Sequence, residues 1–105
     1  GASLLIGGVD HDGPQVYVTH PSGAVYEYKA YAMGQNGKAV NDVLEKRHSS
    51  VRSLDDCIAL SLEALGGTIE GGVTKENVEM ALIRTETAKF EKVPDEVIAK
   101  HIMKR

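Results

Sequence analysis

The hydrophobic period of this chain changes from that of a strand to that of a helix near Gly34, and this change most constrains the fold. Before Gly34, apolar and polar residues alternate in short runs separated by turn-forming residues. After it, apolar residues recur at helical spacing. We expect strands at about residues 3–9, 15–20, 24–32, 77–85 and 89–93. We expect helices at about residues 38–48, 53–66 and 94–104. This order predicts an α+β fold in which antiparallel sheets are layered with helices.

Two clusters of turn-forming residues join the first three strands. The run Asp10-His11-Asp12-Gly13-Pro14 precedes the second strand, and His20-Pro21-Ser22-Gly23 precedes the third. Proline presets φ and glycine accepts a positive φ, so both runs predict tight turns within a meander of three strands. The residues assigned to these turns and to the end of the third strand are Asp10, Gly13, Pro14, His20, Pro21, Ser22, Gly23 and Gly34.

The second helix carries clear signals at both ends. Ser53 can cap its N-terminus, the acidic residues Asp55 and Asp56 suit the first turn, and the helix is expected to stop at Gly66-Gly67. The apolar stripe expected to be buried comprises Leu54, Cys57, Ile58, Leu62 and Leu65. Cys57 is therefore expected to be an inert, buried thiol.

Composition and charge argue against several classes of function. The chain has 105 residues, 42% hydrophobic and 26% charged, which fits at most one ordinary domain. Its formal net charge is −3 and it lacks a basic cluster, so we expect no nucleic-acid partner. No apolar run is long enough to span a bilayer, and the first residues do not resemble a signal peptide, so we expect no membrane partner and a cytosolic protein. A single cysteine cannot form an internal disulfide, which fits a reducing compartment.

Ser22 and His20 form the one pair that could act as a nucleophile and its base. They lie two residues apart across a predicted turn, and the strand, elbow and helix that present a serine nucleophile do not surround Ser22. The pattern therefore favours a turn over a catalytic pair.

Asp10, His11 and Asp12 combine side chains that commonly bind metal ions. The same residues immediately before Gly13 and Pro14 are also typical of a solvated hairpin tip. We favour the hairpin tip and expect no metal.

Glycine pairs and isolated histidines offer no further chemistry. The pairs at residues 7–8, 66–67 and 71–72 lack the following Lys-Ser/Thr of a phosphate-binding loop. His48 and His101 lie near predicted helix C-termini, where a cation is favoured by the helix dipole. From the residues alone we expect no catalytic residue and no cofactor, and the chain has the pattern of an α+β scaffold.

Ordered motifs along the chain resemble the second half of proteasome alpha-type subunits. The stretch SLLIGGVDHDGPQVYVTHPSGAVYEYKAYAMGQNGKAVNDVLEKRH carries a Gly-Val-Asp corner, a Gly-Pro-Gln-Val-Tyr strand start, a Pro-Ser-Gly turn, a Lys-Ala-x-Ala-x-Gly strand end and a helix ending in Leu-Glu-Lys. The resemblance continues through SLDDCIALSLEAL, TKENVEMALI and FEKVPDEVI. It covers essentially the whole chain, and the combination is specific although each motif alone is weak.

The resemblance implies part of an αββα four-layer sandwich, the fold of N-terminal-nucleophile hydrolases. It implies a non-catalytic alpha-type subunit of the 20S proteasome core, in the outer ring that gates substrate entry during ubiquitin-linked degradation. Its partners would be other proteasome alpha and beta subunits and regulatory caps, in the cytoplasm and nucleus. The catalytic beta-type relatives use an N-terminal threonine, whereas residue 1 here is glycine.

The chain also departs from this family. His20 stands where the family usually has Asp, and Val93 where it usually has Thr or Ser. Family members are longer, so the resemblance implies a C-terminal half with open strand edges and a bare apolar face, which would self-associate. Two alternatives remain: a piece of a beta-type or bacterial-type threonine peptidase whose nucleophile lies upstream, and a stand-alone binding module.

Overall fold

The first sheet is a meander of three antiparallel strands. The computed structural model describes residues 2–103. The strands are β1 (Leu4–Asp10), β2 (Gly13–Thr19) and β3 (Val25–Tyr28), and β2 lies between the other two. Tight turns join both pairs of strands, as their glycine, proline and aspartate residues predict.

The register of this sheet gives its two faces different environments. Leu5 lies opposite Val18, and Val18 lies opposite Tyr26, so these three side chains share one face. Val18 is fully buried. Leu4 and Ile6 point to the opposite face, where they are 58% and 51% exposed. Val18 therefore buries the middle of one face, but Leu5 and Tyr26 beside it are still 44% and 52% exposed, so large apolar side chains reach solvent on both faces.

Within the described residues, three α-helices and a second hairpin follow the meander. The helices are α1 (Gly37–Arg47), α2 (Leu54–Gly66) and α3 (Asp95–Met103), and a single 3-10 turn, His48–Ser50, follows α1. The hairpin consists of β4 (Ala81–Ile83) and β5 (Phe90–Lys92), which pair antiparallel in a separate two-stranded sheet.

The main hydrophobic core lies where α2 and α3 meet the segments around the second hairpin. Its buried members are Ile58, Leu62, Val73, Val78, Val93 and Ile98. Leu62 and Ile98 are each only 1% exposed. On the other side of α2, the Arg47 guanidinium at the end of α1 forms an ion pair with the Glu63 carboxylate. Helix α2 is thus packed between α1 and α3.

The residues of α2 that are buried differ from the predicted apolar stripe. Cys57 is exposed and Leu65 is 39% exposed, whereas Leu60 and Ala64 are buried. Because α2 contacts helices on two sides, the buried surface spreads over two adjacent faces. The remaining exposed face carries Cys57 and Leu65, eight residues apart, or about two turns. The prediction that Cys57 is buried was wrong.

The third strand is also shorter than predicted, because it ends at Tyr28 instead of continuing to residue 32. The backbone N–H and carbonyl groups of Ala32 bond to the side chain of Asn41, on α1. These groups are therefore taken by a helix side chain rather than by a neighbouring strand.

The predicted fourth strand is likewise reduced to three residues. Asn77 instead closes a turn in which its Oδ1 accepts from the N–H of Thr74 and its Nδ2 donates to the carbonyl oxygen of Gly72. The architecture as a whole, antiparallel sheets layered with helices, confirms the predicted α+β class.

Candidate functional site

The segment His20-Pro21-Ser22-Gly23 forms the turn between β2 and β3. The N–H of Gly23 donates to the carbonyl oxygen of His20 at 2.9 Å, and the N–H of His20 donates to that of Ala24 at 2.9 Å. Gly23 has a φ of +93°, in the region that favours glycine. Pro21 and Ser22 are exposed at the tip. The backbone of this segment is used to reverse the chain.

The imidazole of His20 packs against the ring of Tyr26. The His20 and Tyr26 rings lie edge to face, with centroids 5.3 Å apart. Nε2 of His20 is buried and forms no hydrogen bond with the Ser22 hydroxyl or any other group among the described residues. The structure places the two residues in one turn without forming the nucleophile–base pair.

Asp10, His11 and Asp12 lie at the tip of the β1–β2 hairpin. One possible ligand atom from each of these three residues lies within 4.8 Å of those from the other two, and all three residues are exposed. Asp10 Oδ1 accepts hydrogen bonds from the N–H of Asp12 at 2.8 Å and from Nε2 of Gln15 at 3.1 Å. Gly13 follows with a φ of +101°. The Asp10 carboxylate is thus already engaged in holding the turn.

Each histidine near a helix end bonds to a backbone carbonyl four residues earlier in the chain, and Nε2 of His101 also lies 3.4 Å from Asp55 Oδ1 on α2. Nδ1 of His48 donates to the carbonyl oxygen of Leu44 at 3.0 Å, and Nδ1 of His101 donates to that of Val97 at 2.9 Å. A carbonyl oxygen only accepts, so these contacts place the proton on Nδ1 in both rings. Both side chains therefore stabilise the ends of α1 and α3.

Gly34 ends the segment that follows β3 and precedes α1. It has a φ of +108°, and its carbonyl oxygen accepts from the N–H of Gly37 at 3.0 Å. Asn36, the residue before α1, has a φ of 63°. The chain therefore enters α1 through two left-handed residues, a conformation that favours glycine and asparagine.

A cleft of about 770 Å³ separates the first sheet from the β4–β5 hairpin, and sequence patterns alone did not indicate it. Gly7, Val16 and Tyr28 line it from the sheet, and Leu82 and Phe90 from the hairpin. The lining is mainly apolar, so the cleft offers packing surface rather than a set of converging catalytic groups.

One sequence signal points to this cleft in retrospect. Gly7 and Gly8 leave β1 without side chains, and a Cβ placed at either position meets no other atom within 4 Å. Glycines inside a strand leave its surface without side chains to fill the space beside it, and Gly7 and Gly8 both line the cleft. The two walls come from hairpins more than fifty residues apart in the chain, so local periodicity could not bring them together.

Comparison with known proteins places this architecture in a family. The family model described as "Proteasome: Proteasome subunit" matches residues 1–83. The alpha subunit of the proteasome from Methanothermobacter thermautotrophicus is 39% identical over 102 residues, which cover 97% of this chain and 41% of that protein. The probable proteasome subunit alpha type-2 of Schizosaccharomyces pombe is 40% identical over 86 residues, or 82% of this chain and 35% of that protein.

A third relative gives the same relationship over almost the whole chain. The proteasome alpha subunit of Methanocaldococcus jannaschii is 39% identical over 104 residues, which cover 99% of this chain and 40% of that protein. The chain therefore spans about two fifths of the length of these curated relatives. Within residues 2–103, the structure has no helix with the length and apolar character needed to cross a membrane.

Proposed function

Because this chain belongs to the proteasome subunit family, we propose that it serves as part of a non-catalytic alpha-type subunit of the 20S proteasome core. The observation that carries the proposal is 39% identity to a proteasome alpha subunit across 97% of the chain. The protein would act through assembly surfaces rather than through an active site. It would lie in an outer ring that gates the entry of protein substrates.

The local geometry supports a scaffold role. The turn that holds Ser22 and His20 uses its backbone for chain reversal, and Nε2 of His20 is buried without a hydrogen-bond partner among the described residues. The Asp10 carboxylate is engaged in the hairpin tip. Large apolar side chains instead lie exposed on strands, as Leu4 and Ile6 do on β1. Such surfaces are typical of chains that pack against others.

The proposal also extends to the partners of the protein, the process in which it acts and its place in the cell. We infer that the chain contacts other proteasome alpha and beta subunits, that regulatory caps dock on the assembled ring, and that the particle acts in ubiquitin-linked degradation in the cytoplasm and nucleus. These follow from the alpha-type relationship and would apply to the longer protein of which the relatives are examples.

A chimera tests the assembly role directly. The matched region of the Methanothermobacter thermautotrophicus alpha subunit is replaced by this chain, and the product is examined by native mass spectrometry and electron microscopy, with the parent subunit as control. We expect the chimera to form rings of the same size as the parent. A folded chimera, judged by circular dichroism, that stays outside the rings would contradict the proposal.

A peptidase assay tests the non-catalytic role. We expect no turnover of fluorogenic peptides by the 105-residue chain or by the chimera without beta subunits, because no nucleophile is paired with a base among the described residues. Turnover that disappears in Ser22→Ala, or in Ser3→Ala at the first serine of the sequence, would contradict this part. Turnover that survives both substitutions calls for repeating the assay on protein from a second purification route, where activity that still copurifies would also contradict it.

We also infer that the 105-residue chain self-associates. The outer edge of β1 pairs with no strand within the described residues, and the face that carries Leu4 and Ile6 is bare. Open strand edges and apolar faces of this kind recruit other chains. Light scattering at increasing concentration tests this, and a scattering mass that stays at one chain throughout would contradict it.

A further inference from the structure

The segment that leads into α1 contains the pair Asn36-Gly37. The chain has two other asparagines, Asn41 and Asn77, and the side-chain amide of each forms two hydrogen bonds with the backbone. Asn36 is exposed, and its side chain forms no capping hydrogen bond with α1. Asn36 therefore differs from the other two both in its contacts and in having glycine as the next residue.

An asparagine followed by glycine can react with the backbone of its own chain. The nitrogen of Gly37 loses its proton to water or hydroxide and attacks Cγ of Asn36, so that an N–Cγ bond forms, the Cγ–Nδ2 bond breaks and Nδ2 leaves as ammonia. Water then opens the resulting succinimide ring. Opening at Cγ gives aspartate, and opening at the main-chain carbonyl gives isoaspartate, in which the main chain runs through the side chain. Glycine favours the attack because it has no Cβ beside the nitrogen.

We propose that Asn36-Gly37 is a site of spontaneous deamidation and that opening of the first turn of α1 controls its rate. The reaction joins two neighbouring residues and needs only water, so it requires neither a partner chain nor an assembled ring. The contacts that control it lie within residues 32–41.

The folded conformation holds the reacting groups apart. Asn36 has a φ of 63° and a ψ of 14°, which turns the Gly37 nitrogen away from the side chain of Asn36. Closing the ring requires rotation about the Cα–C bond of Asn36, and this rotation breaks two hydrogen bonds. One runs from the N–H of Gly37 to the carbonyl oxygen of Gly34 at 3.0 Å. The other runs from the N–H of Val40 to the carbonyl oxygen of Asn36 at 3.2 Å. Both lie at a helix end, where local opening does not require global unfolding.

Asn41 ties the same turn to the segment before it. Its amide bonds both backbone groups of Ala32, at 2.7 and 2.9 Å. A Cβ built on Gly37 would lie 3.4 Å from the carbonyl oxygen of Ala32, so the two ends of this loop are close together. Because these contacts hold the loop against α1, loss of the Asn41 amide should make the first turn open more often.

The two products should affect α1 in opposite ways. Aspartate at position 36 places a carboxylate at the N-terminus of a helix whose first turn has no acidic residue, where the helix dipole favours an anion. Isoaspartate adds a methylene to the main chain at a residue whose left-handed conformation directs the chain into α1. We expect the first product to keep this turn and the second to lose it. Hydrogen exchange of the α1 amides in the two separated products measures the difference.

Peptide mapping by mass spectrometry tests the site. The 105-residue chain and the chimera described above are incubated at mildly alkaline pH, and we expect aspartate and isoaspartate to accumulate at position 36 in both while Asn77 stays unchanged. Gly37→Ala is the matched variant, because Gly37 has no positive φ and its Cβ would meet Ala32 only at ordinary contact distance. It should slow the reaction about tenfold, since a Cβ then stands beside the attacking nitrogen.

Two further variants test what controls the rate. Asn41→Ala should raise the rate at Asn36 about tenfold, because the loop loses both bonds of that amide. Leu62→Ala lowers global stability through the main core and should change the rate by no more than about twofold, since local opening does not depend on global unfolding. Circular dichroism confirms that each variant is folded, and one that is not is replaced by Asn41→Ser or Leu62→Val.

Each part has an outcome that contradicts it. An unchanged Asn36, or conversion of Asn77 at the same rate, contradicts the site, as does a folded chimera that stays unconverted while the 105-residue chain reacts. Equal rates in Gly37→Ala and the parent contradict attack by the Gly37 nitrogen. A rise in Leu62→Ala as large as that in Asn41→Ala contradicts control by the first turn of α1. Equal exchange protection in both products contradicts the expected effect of isoaspartate.

Discussion

The side-chain amide of Asn41, on α1, forms two hydrogen bonds with the backbone of Ala32, in the segment that follows β3. The N–H of Ala32 donates to Asn41 Oδ1 at 2.7 Å, and Asn41 Nδ2 donates to the carbonyl oxygen of Ala32 at 2.9 Å. Both groups of one peptide residue are thus satisfied by one side chain. This contact fixes the helix against the end of the first sheet.

Loss of this amide should destabilise the chain. Asn41→Ala leaves the N–H and carbonyl of Ala32 without partners in a half-buried position, so we expect a loss of about 1–3 kcal/mol in the free energy of unfolding. Urea unfolding followed by circular dichroism measures it. Asp42→Ala, an exposed neighbour on the same helix, is the control and should change stability by no more than about 0.5 kcal/mol. Equal effects of both substitutions would show that the amide contact contributes little.

The packing of α2 predicts a large difference between two leucines three residues apart. Leu62 is 1% exposed within the main core, so Leu62→Ala should cost roughly 2–5 kcal/mol. Leu65 lies on the exposed face, and Leu65→Ala should cost well under half as much, about 1 kcal/mol or less. Thermal or urea unfolding of both variants tests which face of α2 is buried. A larger loss of stability in Leu65→Ala than in Leu62→Ala would contradict the observed burial.

Cys57 should react quickly with a thiol reagent in the native chain, because the residue is exposed. Its labelling rate should be within about tenfold of that in denaturant, since exposure governs access. The matched control is Ala64→Cys in a Cys57→Ser background, because Ala64 lies on the same helix and is buried. That control thiol should react only after unfolding. Slow labelling of native Cys57 would support the originally predicted stripe instead.

Ser53 should contribute to stability through the N-terminus of α2. Its hydroxyl oxygen accepts a hydrogen bond from the N–H of Asp56 at 3.1 Å, so Ser53→Ala should cost about 1 kcal/mol. Ser53→Asp should retain most of the stability because aspartate is also a good N-cap. Ser49→Ala, at an exposed position before the helix, serves as the comparison. Denaturant titrations of the three variants test this, and equal losses in Ser53→Asp and Ser53→Ala would contradict a capping role.

The sequence by itself determined the elements that depend on interactions between residues close together in the chain. The turn at Pro21-Ser22-Gly23 follows from the φ preferences of proline and glycine, and the start of α2 follows from a serine hydroxyl that can reach a backbone N–H three residues on. Both depend on atoms only a few residues apart. The candidate site residues Asp10 and Ser22 could be assigned to turns in the same way, because the residues next to each of them favour a turn.

Tertiary structure decided which side of each helix and strand is buried. Periodicity showed that α2 has an apolar side, but the choice between Cys57 and Leu60 as a buried residue depends on α1 and α3 lying on two sides of that helix. The end of β3 depends on Asn41, nine residues beyond Ala32, and the cleft depends on two hairpins that are distant in the chain. Burial and hydrogen bonding are properties of pairs of elements, and the arrangement of those pairs is set by packing of the whole chain rather than by any short run of residues.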